Sequence, residues 1–304
     1  MVVSQESPRA ESAYLRRDQQ LAVLLLLPAA TAIIVVMILP LGFAFYASFF
    51  DYSLGQEGSM TFVFLENYLR FFSDPSALRA LLNTVLLTAL SLALCLGVGV
   101  GIAVLLKEIG PRAANVLRAI FAMPILISPI IVSLIWRYMY DPTYGLLSYL
   151  LGLVGLRDFG GLTSSATALV CIVIADVWHT APFIILVASA GLTVIPEELY
   201  EAARLDGASA LRMLVQITLP LMAKVLTVLI LIRGTDAFRT FDLVYGLTGG
   251  GPANATTTLS VYAYKEAFEN SQMGFAMAVS IVTLICLAVL FAPLMRNPAH
   301  QAEI

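Results

Sequence analysis

The residues able to do chemistry in this sequence are few and sit in unusual places. Asp176 and His179 stand one helical turn apart, at i and i+3, with Trp178 between them, in a stretch whose one charged residue is Asp176. Arg137 and Tyr138 close another apolar stretch, and Arg233 and Asp236 share a helical face, followed by Arg239 and Asp242. Ionisable groups at membrane depth are costly, and where they occur they face a bundle interior or an aqueous path. Two uses follow. They line a path for a polar solute, or they pair as structural ions between helices, Arg233 with Asp236 and Asp176 with an arginine. His179 alone suits an interhelical hydrogen bond better than a ligand contact. Catalysis finds no footing: no His/Cys/carboxylate cluster has metal-ligand spacing, no Gly-rich phosphate loop carries GK[ST], and no Ser-His-Asp order stands out.

The elements that must hold these residues are set by composition. Of 304 residues, 60% are hydrophobic and 12% charged, against roughly 45–50% and 25% in soluble domains. The mean hydropathy is +0.89. A water-soluble globule could not cover so much apolar surface, which excludes a soluble enzyme, a secreted disulfide scaffold and a nucleic-acid-binding tail protein. Net charge is −3, with no basic block and so no polyanionic partner. Cys95, Cys171 and Cys286 each lie in an apolar stretch, far apart, and read as small core residues.

A bilayer core of about 30 Å needs about 20 apolar residues per helix. Six stretches qualify: 21–50, 81–106, 119–136, 166–196, 213–232 and 270–295. The expected architecture is an all-α integral membrane protein with six transmembrane helices over 21–295 and short tails at 1–20 and 296–304. Internal glycines and prolines, among them Gly97, Gly99, Gly101, Pro124, Pro129 and Pro182, mark bends or close packing. Arg16–Arg17 ahead of an apolar run resembles a twin-arginine signal, but the run continues to Phe50, which suits an uncleaved first helix. Placing the N-terminus inside puts ten Lys/Arg (Arg9, Arg16, Arg17, Lys107, Arg112, Arg118, Arg204, Arg212, Lys224, Arg296) on the cytoplasmic side. Five (Arg70, Arg79, Arg157, Arg239, Lys265) fall outside. Both termini are therefore expected in the cytoplasm.

The connection at 196–220 is the most specific part of the chain. Pro196 suits the first helical position, and Glu197 and Glu198 fall in the first turn, where carboxylates meet the positive end of the helix dipole. Leu199, Ala202 and Ala203 share a face, beside Glu201 and Arg204. Gly207 then permits a turn that a Cβ would resist, and Leu211, Leu214 and Val215 form a second short stripe leading to Pro220. Two short helices at an elbow result, with small residues presented to a partner.

These residues carry a resemblance. Glu201-Ala202-Ala203, three residues, Gly207, nine residues, Ile217, one residue, Leu219-Pro220 is similar to the cytoplasmic signature of permease subunits in binding-protein-dependent ABC importers. The resemblance implies a type I importer permease fold. It also implies a coupling role for Glu201, Ala202, Ala203, Asp206, Gly207, Leu219 and Pro220, which would dock on a separate ATP-binding subunit dimer that holds ATP and Mg. The region from Thr235 through Asp242 to Gly249-Gly250-Gly251-Pro252, with Thr256–Thr258, Tyr262 and Ala267-Phe268, looks like the carbohydrate, maltose-type group, as do Trp178-x-x-x-Pro182-Phe183 and a Leu-Pro pair in helix one.

By that resemblance the partners are a second permease, an ATP-binding dimer and an extracytoplasmic solute-binding protein. The binding protein would touch Gly249–Pro252 in an external loop at 243–272, although those residues also make a plain turn. The chain would sit in a bacterial or archaeal cytoplasmic membrane as a non-catalytic subunit without its own cofactor. Sugar recognition needs aromatic faces and paired donors and acceptors, which makes Tyr138, Asp176, Trp178, His179, Arg233 and Asp236 the expected lining of the pathway. Arg137, Arg233 and Arg239 hint at an acidic sugar or glycerol phosphate, yet each has a carboxylate nearby. The competing function class is an ion-coupled secondary transporter, which would show inverted repeats and broken midplane helices; no internal repeat is evident.

Overall fold

Helix boundaries in this chain fall where prolines and capping side chains put them. The computed structural model describes residues 24–53, 55, 60–155 and 159–295. The tails at 1–20 and 296–304, the Arg16–Arg17 pair and the start of the first expected span lie outside them. Helix α1 (Leu24–Ala47) is apolar on every side and almost wholly exposed along its length. A short antiparallel hairpin follows, β1 (Phe50–Asp51) with β2 (Thr61–Phe62), Phe50 opposite Phe62. Asn67 on α2 (Glu66–Ser73) then closes the C-terminal end of α1, its Nδ2 donating to Ser48 O at 2.8 Å and Phe50 O at 3.0 Å.

Helix α3 (Pro75–Glu108) is the longest element. Asp74 caps it by accepting the Ser76 N–H at 2.8 Å, and Pro75 occupies the first turn, where no hydrogen bond is lost. Its buried residues run Ala77, Ala80, Thr84, Leu87, Ser91, Cys95, Gly99, Ala103 and Leu106, a three-to-four spacing that makes one face. That face packs most extensively against α7 (Ala168–Leu192), with Gly99 and Ile184 at the closest approach. Cys95 and Cys171 are buried and unbridged, as core residues should be.

Two of the expected spans are broken. The stretch at 119–136 divides into α4 (Pro111–Leu126) and α5 (Pro129–Met139), bent by 94°. Ile127 and Ser128 between them are extended, because Pro129 disfavours helical backbone in the residue before it. The stretch at 213–232 divides into α9 (Ala210–Leu221) and α10 (Ala223–Phe238), bent by 76° at Met222, just past Pro220. The described residues thus hold four helices that could cross a membrane alone, or six spans if each bent pair counts as one. The sixth is α13 (Met273–Met295).

The remaining helices are short: α6 (Leu146–Leu153), α8 (Glu197–Leu205), α11 (Asp242–Thr248) and α12 (Leu259–Tyr264), the last continued by a wider turn over Lys265–Glu269. The segment at 243–272 is therefore largely helical, where the sequence suggests a loop. One core cluster joins α3, α5, α7 and α11 near Trp136 and Leu243, and a second joins α3, α7 and the α8–α10 region near Ile184 and Met222.

A Cβ on Gly99 would lie 2.5 Å from Ile184 Cβ, closer than two carbons can approach. Gly99→Val should push α3 and α7 apart and lower stability by about 1–3 kcal/mol, the usual cost of overpacking. Gly97→Val has open space around it and should be tolerated far better. Thermal unfolding of the two detergent-solubilised variants checks the contrast; equal losses would place the close contact elsewhere.

Candidate functional site

Three helices meet at Asp176. The carboxylate lies on α7, accepts from the Ser91 hydroxyl on α3 and pairs with the Arg233 guanidinium on α10. Arg233 Nη2 also donates to Ser91 Oγ at 2.7 Å, so the three side chains form a closed triangle. Both charged side chains are only 5% exposed. Such a pair survives burial because each charge is desolvated against its opposite and the leftover lone pair is taken by a hydroxyl. Arg233 Nε is also buried and has no hydrogen-bond partner among the described residues. The expected Arg233–Asp236 pair does not form. Asp236 instead accepts from Arg239 at 2.9 Å at an exposed position, because Arg233 turns inward from α10 to the stronger, desolvated partner.

A cavity of about 360 Å³ opens beside this triangle, walled by Asp176, His179, Thr180, Phe183, Arg233, Asp236 and Thr240. It brings together four of the six residues expected to line a path. The other two lie elsewhere. Trp178 is 40% exposed and meets Trp136 edge-on at 5.7 Å, since two residues along a helix turn a side chain about 200° away from Asp176. Tyr138 is exposed at the end of α5, against Tyr144. His179 Nε2–H donates to Ile127 O at 3.0 Å, which satisfies a carbonyl freed by the break between α4 and α5. Ser91, Thr180 and Thr240 were not singled out in the sequence. The signal for Ser91 was its place, four residues before Cys95, on the small-residue face of a span.

The elbow stands apart from this cavity. Helix α8 begins at Glu197 with Pro196 as its extended cap, one residue later than the sequence suggests. It ends at Asp206, and Gly207 follows with φ +73°, the left-handed backbone its type allows at little cost. Ser209 then caps α9, accepting the Arg212 N–H. Inward, Tyr200 is buried, with its hydroxyl 3.0 Å from Thr218 Oγ1. Outward, Glu201, Ala202, Asp206 and Gly207 are exposed and Ala203 is half-buried. Leu205, which the sequence reading passed over, is 90% exposed at the tip. Leu219 packs into the core cluster around Met222, and Pro220 lies just before the bend.

At the other end of the bundle, Gly249 (φ +58°) caps α11 and Gly250 (φ +89°) is buried against Thr257. Thr257 Oγ1 donates to Gly250 O at 3.0 Å, and Thr256 Oγ1 to Gly251 O at 2.7 Å. Asn83 on α3 holds the same loop, its Nδ2 donating to Thr257 O at 3.0 Å and Asn254 O at 3.2 Å. Gly251 and Pro252 are half-buried, so the exposed tip is Ala253 and Asn254. Beside it a second cavity of about 360 Å³ is lined by Arg137, Tyr140, Asp141, Thr248 and Pro252. Hydrogen bonding from the Thr143 backbone N–H holds the Asp141 carboxyl below the usual carboxylate value.

Comparison with known proteins bears on both ends. Residues 93–297 match the family described as binding-protein-dependent transport system inner membrane component. The trehalose/maltose transport system permease protein MalF of Thermococcus litoralis is 38% identical over 270 residues, covering 88% of this chain and 90% of that protein. The trehalose transport system permease protein SugA of Mycobacterium tuberculosis is 34% identical over 275 residues, covering 90% and 87%. In shape, the chain is similar to one from a bacterial ABC transporter involved in the import of the acidic polysaccharide alginate. Their TM-score is 0.80 at 22% identity, over 97% of this chain and 100% of that one.

Removing one member of the buried triangle should cost far more than removing both charges. Asp176→Asn alone leaves Arg233 buried without its counter-ion and should destabilise the bundle by about 3–5 kcal/mol, whereas Asp176→Asn with Arg233→Met should recover most of that loss. Denaturation of the solubilised single and double variants measures the coupling. Simple additivity would mean that the two side chains act independently.

Proposed function

The chain belongs to the family of binding-protein-dependent transport system inner membrane components, and on that premise we propose that it is one permease of an ATP-driven carbohydrate importer. A second permease completes the membrane pathway. A solute-binding protein delivers the sugar at the outer face, and a separate ATP-binding dimer, holding ATP and Mg, docks at the elbow. This chain is non-catalytic, with both termini in the cytoplasm.

The exposed elbow carries the reading. Leu205 is 90% exposed at its tip, flanked by Glu201 and Asp206. Exposed apolar side chains ringed by polar ones suit a protein partner. The left-handed Gly207 fixes how that tip is presented. The trehalose and maltose permeases similar to this chain support a sugar as the solute. The cavity supports a neutral one. Its arginine is neutralised by Asp176, and its second carboxylate by Arg239, so among the described residues no unbalanced cation faces an acidic substrate. Thr180, Thr240 and Asp236 offer donors and acceptors for hydroxyls, and Phe183 offers an aromatic face.

Broken spans also occur in ion-coupled carriers, where the freed carbonyls bind the ion. Here the carbonyl of Ile127 is taken by His179, which favours the importer.

Two measurements test the elbow. A cysteine at Ser209 should react with an impermeant reagent only after the membrane is opened; labelling from outside intact cells would reverse the orientation. Gly207→Val should reach the membrane yet lose at least about tenfold in uptake and stimulated ATP hydrolysis, because a β-branched residue resists φ +73°. Glu201→Ala, which removes one charged contact worth about 1–3 kcal/mol, should weaken docking less severely.

A further inference from the structure

Helix α3 touches every functional part of the molecule. Near its outer end, Asn83 holds the carbonyls of Asn254 and Thr257, and Thr84 Oγ1 accepts the Leu259 N–H at 2.9 Å. At its middle, Ser91 completes the Asp176–Arg233 triangle. At its far end, Lys107 and Glu108 meet the elbow. Its 34 residues are a single helix with no proline beyond Pro75. At 1.5 Å per residue that is a rod of about 50 Å, longer than the hydrocarbon core is thick.

We propose that Lys107 is the positioning residue that ties the elbow to α3, so that movement of a docked ATPase reaches the membrane triangle and the outer loop along one helix. The proposal rests on the elbow being the ATPase dock. Lys107 Nζ lies 2.9 Å from Glu197 Oε2, off-axis for a directed hydrogen bond, and 3.8 Å from the centre of the Tyr200 ring. The cation thus grips the first elbow helix twice, at residues one turn apart. Tyr200 passes the grip on, since its hydroxyl reaches Thr218 beyond the Gly207 turn. One ammonium therefore braces both arms of the elbow against the end of a span.

The neighbouring contacts are weaker. Arg204 lies 3.6 Å from Glu108 and 3.8 Å from Glu197, with all three side chains at least 46% exposed. Water and salt screen such pairs. The Lys107 side chain is 24% exposed and its ammonium lies over the Tyr200 ring, so its attraction to the ring is less screened. Lys107 lies outside the 196–220 segment. It acts through Glu197 and Tyr200, on the presentation of Glu201 and Leu205.

The test uses the complete transporter in proteoliposomes, with the cognate solute-binding protein carrying the solute it retains on purification. Lys107→Met keeps the apolar stem and removes the charge. It should lower the maximal stimulated ATP hydrolysis about five- to tenfold, with the KM for the loaded binding protein, the membrane abundance and the thermal midpoint all unchanged. Lys107→Arg, which restores a cation over the ring, should recover at least half the rate. A lysine serving only to anchor the helix end would instead lose abundance and activity in parallel, and that result overturns the proposal. So does a wild-type rate in Lys107→Met. Gly207→Val, measured alongside, separates the two readings. If it is uncoupled while Lys107→Met is not, the brace fails and the elbow stands; if both hydrolyse at wild-type rates, the elbow reading itself fails.

Discussion

A charge carried into hydrocarbon must carry its counter-ion with it, and in this bundle that requirement is met at one point. Asp176, Arg233 and Ser91 come from three helices and satisfy one another. Sliding α7 or α10 by a turn would strand a charge, at several kcal/mol, and sliding α3 would take away the hydroxyl that both charges use. Apolar packing alone is less exacting, because leucines and alanines slip past one another at modest cost. The triangle thus sets the register of helices whose remaining contacts are mostly small and apolar, such as Gly99 against Ile184 and the stripe of Ala, Ser and Cys along α3.

The same requirement applies to the backbone. Prolines at 124, 129 and 220 interrupt two spans, and each interruption frees polar groups that lipid cannot satisfy. The bundle answers with side chains: His179 takes the Ile127 carbonyl, and Thr218 and Tyr200 hold the segment before Met222. The breaks have a consequence for the cavity. Because α4 turns by 94° into α5, Ile125 and Pro129 can flank the space beside Asp176 instead of filling it. A straight helix there would close the gap.

The two ends of the bundle are built differently. The loop at 249–257 is knitted by threonine hydroxyls and by Asn83, which leaves only Ala253 and Asn254 at its tip. The elbow turns at Gly207 and is held by the Tyr200–Thr218 hydrogen bond and by Lys107. One end is a compact surface and the other projects from the bundle.

Composition and periodicity alone determined that the chain spans a membrane, roughly where each span lies, and that 196–220 forms a helical elbow turning at Gly207. These features are local: about 20 apolar residues must enter lipid whatever surrounds them, and a glycine between two short amphipathic helices has few other uses. Sequence also picked out Asp176, His179, Arg233 and Asp236, since ionisable residues in apolar stretches are conspicuous. It could not say who pairs with whom. Arg233 has Asp236 one turn away but binds Asp176, 57 residues distant, because burial makes the remote partner stronger than the near one. The outward turn of Trp178, the exposure of Leu205, the hydroxyl supplied by Ser91 and the ammonium of Lys107 under Tyr200 are likewise matters of which helix faces which. Only tertiary packing decides them, since a side chain's surroundings in a bundle come mainly from helices far away in sequence.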